Sequence, residues 1–291
     1  MIEKYKIIKT IAEVEHLTKS AEQLHMTQSA LSHVLKTLEK DWGFSIFHRV
    51  KSGMKLTKNG EYILNFINEV IHVNERLMQE VKLINGLNYG QITVGTFPSV
   101  TTKWIPKIIK RMNDSYPNIS IDLIEDNYET LENLLLKGEL DLAFIADKPK
   151  SPKLNFEPVY LDPMVCVISR EHEITKESFF PISKIIDYPF ILPSKGGSVE
   201  LNNFFKEYGI NPVVRYEIMD TNQSIVAMIE NNLGISILPE LILNELPPSV
   251  MKMQLNIGLT RKVGIITTND LSPATEIFIN ISKDFITSYK A

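Results

Sequence analysis

A polar helix face carried on an apolar stripe, between Thr27 and Glu39, constrains this chain more than any other feature. Lys19-Ser20-Ala21-Glu22-Gln23-Leu24 reads as a short helix and His25-Met26 as a tight turn, with a second helix opening at Thr27. The Thr27 hydroxyl is placed to cap that helix by taking one of its first free N–H groups. Ala30, Leu31, Val34, Leu35 and Leu38 recur at helical spacing and predict a stripe turned to a core. Gln28, Ser29, Ser32, His33 and Lys36 occupy the other side, short polar groups followed by a cation. Such a face suits a DNA major groove, where base edges present donor and acceptor patterns. The bland alternative is a solvated helix face.

The flanks support the first reading. Tyr5, Ile7, Ile8, Ile11, Ala12 and Val14 predict an amphipathic helix backing the pair. His48-Arg49-Val50-Lys51-Ser52-Gly53-Met54-Lys55-Leu56-Thr57 predicts a two-stranded wing with Ser52-Gly53 at its tip. Arg49, Lys51 and Lys55 would then flank a duplex backbone and position the protein without reading sequence. The net charge of −4 hides an asymmetry: residues 1–60 hold ten Lys/Arg against six Asp/Glu, and the rest 21 against 29. The cationic surplus sits where phosphate contact needs it.

The string Ala21-Glu22-Gln23-Leu24…Gln28-Ser29-Ala30-Leu31-Ser32…Leu38-Glu39…Gly43…Phe47-His48-Arg49…Leu56-Thr57…Gly60 resembles the winged helix-turn-helix of LysR-type transcriptional regulators. The resemblance implies that Gln28, Ser29, Ser32 and His33 face bases while Arg49 and the wing lysines hold phosphate. Two positions depart from the family pattern. Glu15-His16-Leu17 stands where the family usually has Gly-Ser-Phe, and His33 where a longer polar side chain is common. His16, His25, His33 and His48 lack the spacing that puts two metal ligands on one face.

A long helix is expected from about Lys58 to Asn85, capped by Thr57 and closed by Asn85-Gly86. Ile63, Val70, Leu77 and Ile84 repeat every seven residues, with Phe66, Val73 and Val81 between them. That repeat is a seam for a second copy of the helix, or packing within the chain. A dimer also doubles the DNA footprint, and the resemblance implies that dimers can pair into tetramers.

Beyond Gly90 short apolar strands alternate with helices, which predicts α/β lobes with parallel sheets. One helix is expected over Val100–Asp114, strands at Gln91–Gly95, Ile119–Ile124 and Leu140–Ile145, and a second set at Met164–Ser169, Phe190–Leu192, Val213–Ile218 and Ile235–Leu238. Crossings between lobes are expected at Pro158–Pro163 and near Val263–Ile266. Gly138-Glu139-Leu140-Asp141-Leu142-Ala143 and Gly234-Ile235-Ser236-Ile237-Leu238-Pro239 resemble the co-inducer domain of the same family, which has the two-lobed fold of type 2 periplasmic binding proteins. The expected organisation is a DNA-binding domain over 1–58, a linker and dimerisation helix over 59–88 and an effector domain over 89–291. Lobe I takes about 89–160 and 267–291, lobe II about 161–266.

Ligands of open α/β sheets sit beyond the carboxyl ends of strands, near helix N-termini. That selects Thr96, Phe97, Pro98, Ser99, Thr101 and Thr102 after the first strand and Asp147 after the third. From the second lobe it selects Pro193, Ser194, Thr221 and Asn222, with Lys195-Gly196-Gly197 as a rim. Helix N-termini from both lobes favour a small organic anion; helix capping alone is the alternative role for each hydroxyl.

No nucleophile elbow, Walker loop, dinucleotide fingerprint or metal quartet occurs, so no cofactor is expected and an enzyme is disfavoured. The single cysteine, Cys166, lies in an apolar strand and reads as an inert buried thiol. The N-terminus shows no signal-peptide pattern and no run is long enough to span a membrane, so a reducing cytoplasm is the expected compartment. The expected partners are double-stranded DNA, a small-molecule effector, further copies of the chain and RNA polymerase. Two alternatives remain open: a two-lobed binding protein or enzyme with an appended helical domain, and a dimeric DNA-binding scaffold that takes no ligand.

Overall fold

The computed structural model describes residues 1–51, 53–84, 89–193, 198–218, 222–243 and 245–289. The N-terminal module consists of α1 (Ile2–Val14), α2 (Leu17–Gln23), α3 (Gln28–Trp42) and a wing of β1 (Phe47–Val50) and β2 (Gly53–Leu56). Ile8, Ile11, Leu31, Leu35, Leu38 and Ile46 meet in one core with Ile67 and Ile71 of α4 (Lys58–Ile84). Ala30, expected in the inward stripe, is exposed, although the next residue, Leu31, is wholly buried in the core.

Polar groups fix the joints of this module. The Glu39 carboxylate accepts the N–H groups of Ile46 at 2.7 Å and Phe47 at 3.2 Å, ordering the bend between α3 and the wing. The Thr57 hydroxyl donates to the Ser45 carbonyl at 2.7 Å and accepts the Gly60 N–H at 3.0 Å, which caps α4. A Cβ on Gly60 would lie 2.1 Å from the Ile46 carbonyl oxygen, so α4 starts this close to the wing only with glycine there.

The 27-residue α4 is about 40 Å long and divides its surface three ways. Ile63, Ile67 and Ile71 face the N-terminal core, so Ile63 leaves the expected heptad seam. Phe66, Val70, Val73 and Leu77, at four- and three-residue steps, stand exposed on a second face. A third face meets the C-terminal domain: His72 Nδ1 lies 3.8 Å from Asp141 Oδ1, and Gln79 donates to the Gln91 carbonyl at 3.2 Å. The expected Asn85-Gly86 terminator and the wing-tip Ser52 lie outside the described residues, as does the side chain of Ile84.

The C-terminal domain runs β3 (Gly90–Thr96), α5 (Pro98–Lys103), α6 (Ile105–Ser115), β4 (Ile119–Glu125), α7 (Tyr128–Leu136), β5 (Leu142–Ala146) and β6 (Asn155–Ser169). It continues through β7 (Pro189–Pro193), α8 (Ser198–Glu207), β8 (Val213–Ile218), α9 (Asn222–Glu230), β9 (Ser236–Pro239), β10 (Val250–Gln254), β11 (Thr260–Thr267) and α10 (Pro273–Ser288). The helix expected over Val100–Asp114 is two helices, broken at Trp104. Pro106 has no N–H for the Thr102 carbonyl and its ring crowds the turn before it, so the chain restarts.

The main sheet has the order β10-β6-β11-β5-β3-β4, with β9 also on β6. β3 is parallel to β4 and β5, and β7 to β8. β11 is antiparallel to β5 and β6, and β6 to β9 and β10, so the sheet is mixed where a parallel one was expected. The cause is the route of the chain. It leaves lobe I along β6 and returns along β11, and neighbouring outgoing and returning strands must run in opposite directions. The Pro158–Pro163 segment is thus the middle of a 15-residue strand serving both lobes. Val263–Ile266 already pair with β5, so the return crossing comes before Val263 and not after 266.

Candidate DNA interface and effector cleft

The first turns of α3 project from the module. Thr27 accepts the Ala30 N–H at 3.2 Å, so it acts as the cap. Gln28, Ser29, His33 and Lys36 are exposed and Ser32 is half-buried, while Leu31, Leu35 and Leu38 of the same helix are buried. The wing pairs His48 with Lys55 and Arg49 with Met54 across its two strands. Arg49 and Lys51 are exposed and, among the described residues, have no acidic partner. Lys55 differs: its ammonium is bound by the Glu15 carboxylate.

That contact belongs to a larger anchor. Glu15 ends α1 in the left-handed conformation, φ 55°, at the very position where the resembled family has glycine. Its carbonyl accepts the Met54 N–H at 2.7 Å, and a Cβ on Gly53 would sit 2.1 Å from the same oxygen. The wing is therefore pinned to the turn between α1 and α2, with Arg49 and Lys51 left to face outward.

In the C-terminal domain the loop after β3 is more enclosed than its sequence suggests. Thr96 is buried and accepts from the Thr101 hydroxyl at 3.3 Å. Phe97 is buried in the lobe I core, edge-on to Tyr128 at 5.2 Å, so its ring is not a cleft surface. Thr102 donates back to the Pro98 carbonyl at 2.8 Å, and both residues are exposed. Ser99 is buried and accepts from Arg261 Nη2 at 2.9 Å. Asp147 follows β5 with φ 91° and lines a groove of about 360 Å³ between the lobes, together with Asn203, Glu207 and Tyr208 of lobe II and the start of β11. Pro193 is buried at the end of β7. Ser194, Lys195-Gly196-Gly197 and Thr221 lie outside the described residues, and Asn222 is described only as the first residue of α9.

Two residues that sequence reasoning passed over occupy the floor between the lobes. Arg261 Nε donates to Asp162 Oδ2 at 2.8 Å, and Asp162 Oδ1 accepts the Leu241 N–H at 2.9 Å. The pair is buried. Burial pushes the Asp162 carboxyl above its ordinary range, against the opposing pull of Arg261. A charged residue at the edge of an apolar run was the only sequence signal, and many surface strands carry the same one. Cys166 is wholly buried in β6, and burial pushes its thiol far above the usual range, away from thiolate chemistry.

The family model for the LysR substrate binding domain matches residues 85–286, and that for the bacterial regulatory helix-turn-helix protein, lysR family, matches residues 2–61. The chain belongs to the LysR family. It is a DNA-binding transcriptional regulator with an effector-binding domain, not an enzyme. This LysR regulator is 27% identical over 290 residues to YvbU, a transcriptional regulator of Bacillus subtilis, covering 97% of the chain and 98% of YvbU. Full-length OxyR from Pseudomonas aeruginosa superposes with a TM-score of 0.79 at 20% identity, covering 99% of this chain and 95% of OxyR. CbnR in complex with its target DNA gives 0.60 at 16% identity, covering 98% and 99%. At those identities the likeness is one of fold. Among the described residues of this LysR regulator, no helix is long and apolar enough to cross a membrane.

Proposed function

We propose that this regulator binds promoter DNA as a homodimer, inserting the N-terminal half of α3 into the major groove of each half-site. Gln28, Ser29, Ser32 and His33 read base edges, and Lys36, Arg49 and Lys51 hold the phosphates on either side. The observation that carries this reading is the outward polar face of α3 beside a wing whose Arg49 and Lys51 lack acidic partners among the described residues. The Phe66–Val70–Val73–Leu77 stripe supports a partner helix from a second copy, because an apolar a/d seam along one helix is otherwise left to water. A small organic anion bound between the lobes near Ser99, Thr101, Thr102 and Asp147 shifts the balance between two lobe arrangements, and so the spacing of the recognition helices or the contacts made with RNA polymerase. It does so only through a difference in affinity for the two arrangements.

The test is selection of bound genomic fragments followed by titration of one selected site. Wild-type protein is expected to bind with a steep salt dependence, and the Ser32→Ala/His33→Ala variant to lose discrimination between that site and a scrambled one. Equal discrimination by variant and wild type would sink the assignment of α3 as the reader.

A further inference from the structure

Between the lobes the chain buries an ion pair where apolar side chains would serve stability equally well or better. Arg261 and Asp162 face each other in register on β11 and β6, the two strands that join the lobes. On one side of this pair β6 and β11 pair with each other and β11 with β5 in lobe I; on the other side β6 pairs with β9 and β10 in lobe II. The pair also reaches outward at both ends. Arg261 Nη2 binds the Ser99 hydroxyl at 2.9 Å, and Asp162 Oδ1 binds the Leu241 N–H at 2.9 Å in the turn that follows β9. The guanidinium lies over the Phe97 ring, 5.3 Å from its centroid, which fixes its plane. One unbroken chain of contacts, Ser99–Arg261–Asp162–Leu241, therefore runs from the loop after β3, through both hinge strands, to the turn by which β9 leaves lobe II, where Leu241 packs into the lobe I core.

We propose that Arg261 and Asp162 are positioning residues that tie the effector loop to the angle between the lobes. The inference rests on the reading of that loop as the effector site. A guanidinium has a fixed planar fork, so Nε and Nη2 hold Asp162 and Ser99 at one relative orientation. Moving Ser99 with its loop breaks or drags that contact, and the strand carrying Arg261 follows. Both members of the pair are buried, at 2% and 0% exposure, with Arg261 beneath the groove that Asp147 lines. Their work is to make the two strands respond together to a shift in the loop.

The full-length chain tests this with spin labels on Lys110→Cys in lobe I and Lys206→Cys in lobe II, both exposed; Cys166 is buried and stays unlabelled. Labelled protein is diluted with unlabelled wild type so that each oligomer carries one labelled chain. The native pair is expected to give a single narrow distance peak. Arg261→Lys, which keeps the charge but not the fork, and Asp162→Asn are each expected to lose it. The paired variant Arg261→Met/Asp162→Leu guards against misfolding: it should melt at or above the wild-type temperature and still lack the narrow peak. A stably folded paired variant whose distribution overlays that of the wild type would overturn the proposal. Failure of the wild-type chain to select any genomic fragment would instead strike at the reading of the chain in the previous section, leaving the hinge measurement intact.

Discussion

Replacing Leu77 with Asp should separate the subunits while leaving each one folded. Phe66, Val70, Val73 and Leu77 are 46%, 44%, 56% and 58% exposed on the free helix. Full burial of such a side chain stabilises by about 1.5–3 kcal/mol, so finishing the burial of a half-exposed one adds about 1 kcal/mol. Four positions on each of two helices give about 8 kcal/mol, which falls within the estimated cost of association, about 4–15 kcal/mol. The seam is therefore needed and has little excess. Leu77→Asp removes about 2 kcal/mol across both copies and sets two carboxylates in the contact, adding about 1–2 kcal/mol of desolvation and repulsion. At about 1.4 kcal/mol per decade, the dimer constant should weaken by roughly 10²- to 10³-fold. Sedimentation velocity over a dilution series measures it, with circular dichroism showing that helix content is kept. Lys58→Asp, on the same helix but outside the stripe, should leave association unchanged. A Leu77→Asp protein whose dimer constant stays within about threefold of wild type would refute the assignment of this face.

The two wing cations should separate in a salt titration of DNA binding. Arg49→Ala is expected to lower the magnitude of the log–log slope by about one, whereas Lys55→Ala, whose ammonium already serves Glu15, should change it little. Gly60→Ala drives a methyl to 2.1 Å from the Ile46 carbonyl and should destabilise the N-terminal module by about 3 kcal/mol, read by chemical denaturation. Burial is the largest influence on Asp141 and raises its carboxyl above the usual 3.8, outweighing the Thr93 N–H and His72 that favour the anion. The folded chain thus binds that proton more tightly than the unfolded one, and stability falls as pH climbs from 3.8 through the raised value. Asp141→Asn should abolish that share of the decline, seen as a flatter melting temperature as pH climbs above 3.8.

Local patterns carried much of this protein. The cap at Thr27, the stripe of Leu31, Leu35 and Leu38, and the wing strands are set by neighbours within a few residues, so spacing and side-chain chemistry state them directly. Gly60 and Glu39 stood in the recognisable motif without a stated role; their partners Ile46 and Phe47 lie seven or more residues away. The heptad repeat of α4 was legible as a seam, but periodicity cannot say which of two adjacent apolar faces a neighbouring domain covers. Ile63 went to the N-terminal core and Phe66 to solvent for that reason.

Near the cleft the sequence located loops by the strands that precede them, and Ser99, Thr102 and Asp147 do follow β3 and β5. It could not foresee that Phe97 turns inward, that Pro106 splits a helix into two, or that Lys55 is taken up by Glu15. Nor could it join Arg261 to Asp162, residues 99 positions apart that meet only because β6 and β11 lie side by side. Alternation, capping and charge act over one or two turns of chain, and they determined the elements and the outward polar face of α3. Burial of an ion pair and the direction of a hinge strand depend on which distant segments become neighbours, and only the closing of the tertiary fold decides that.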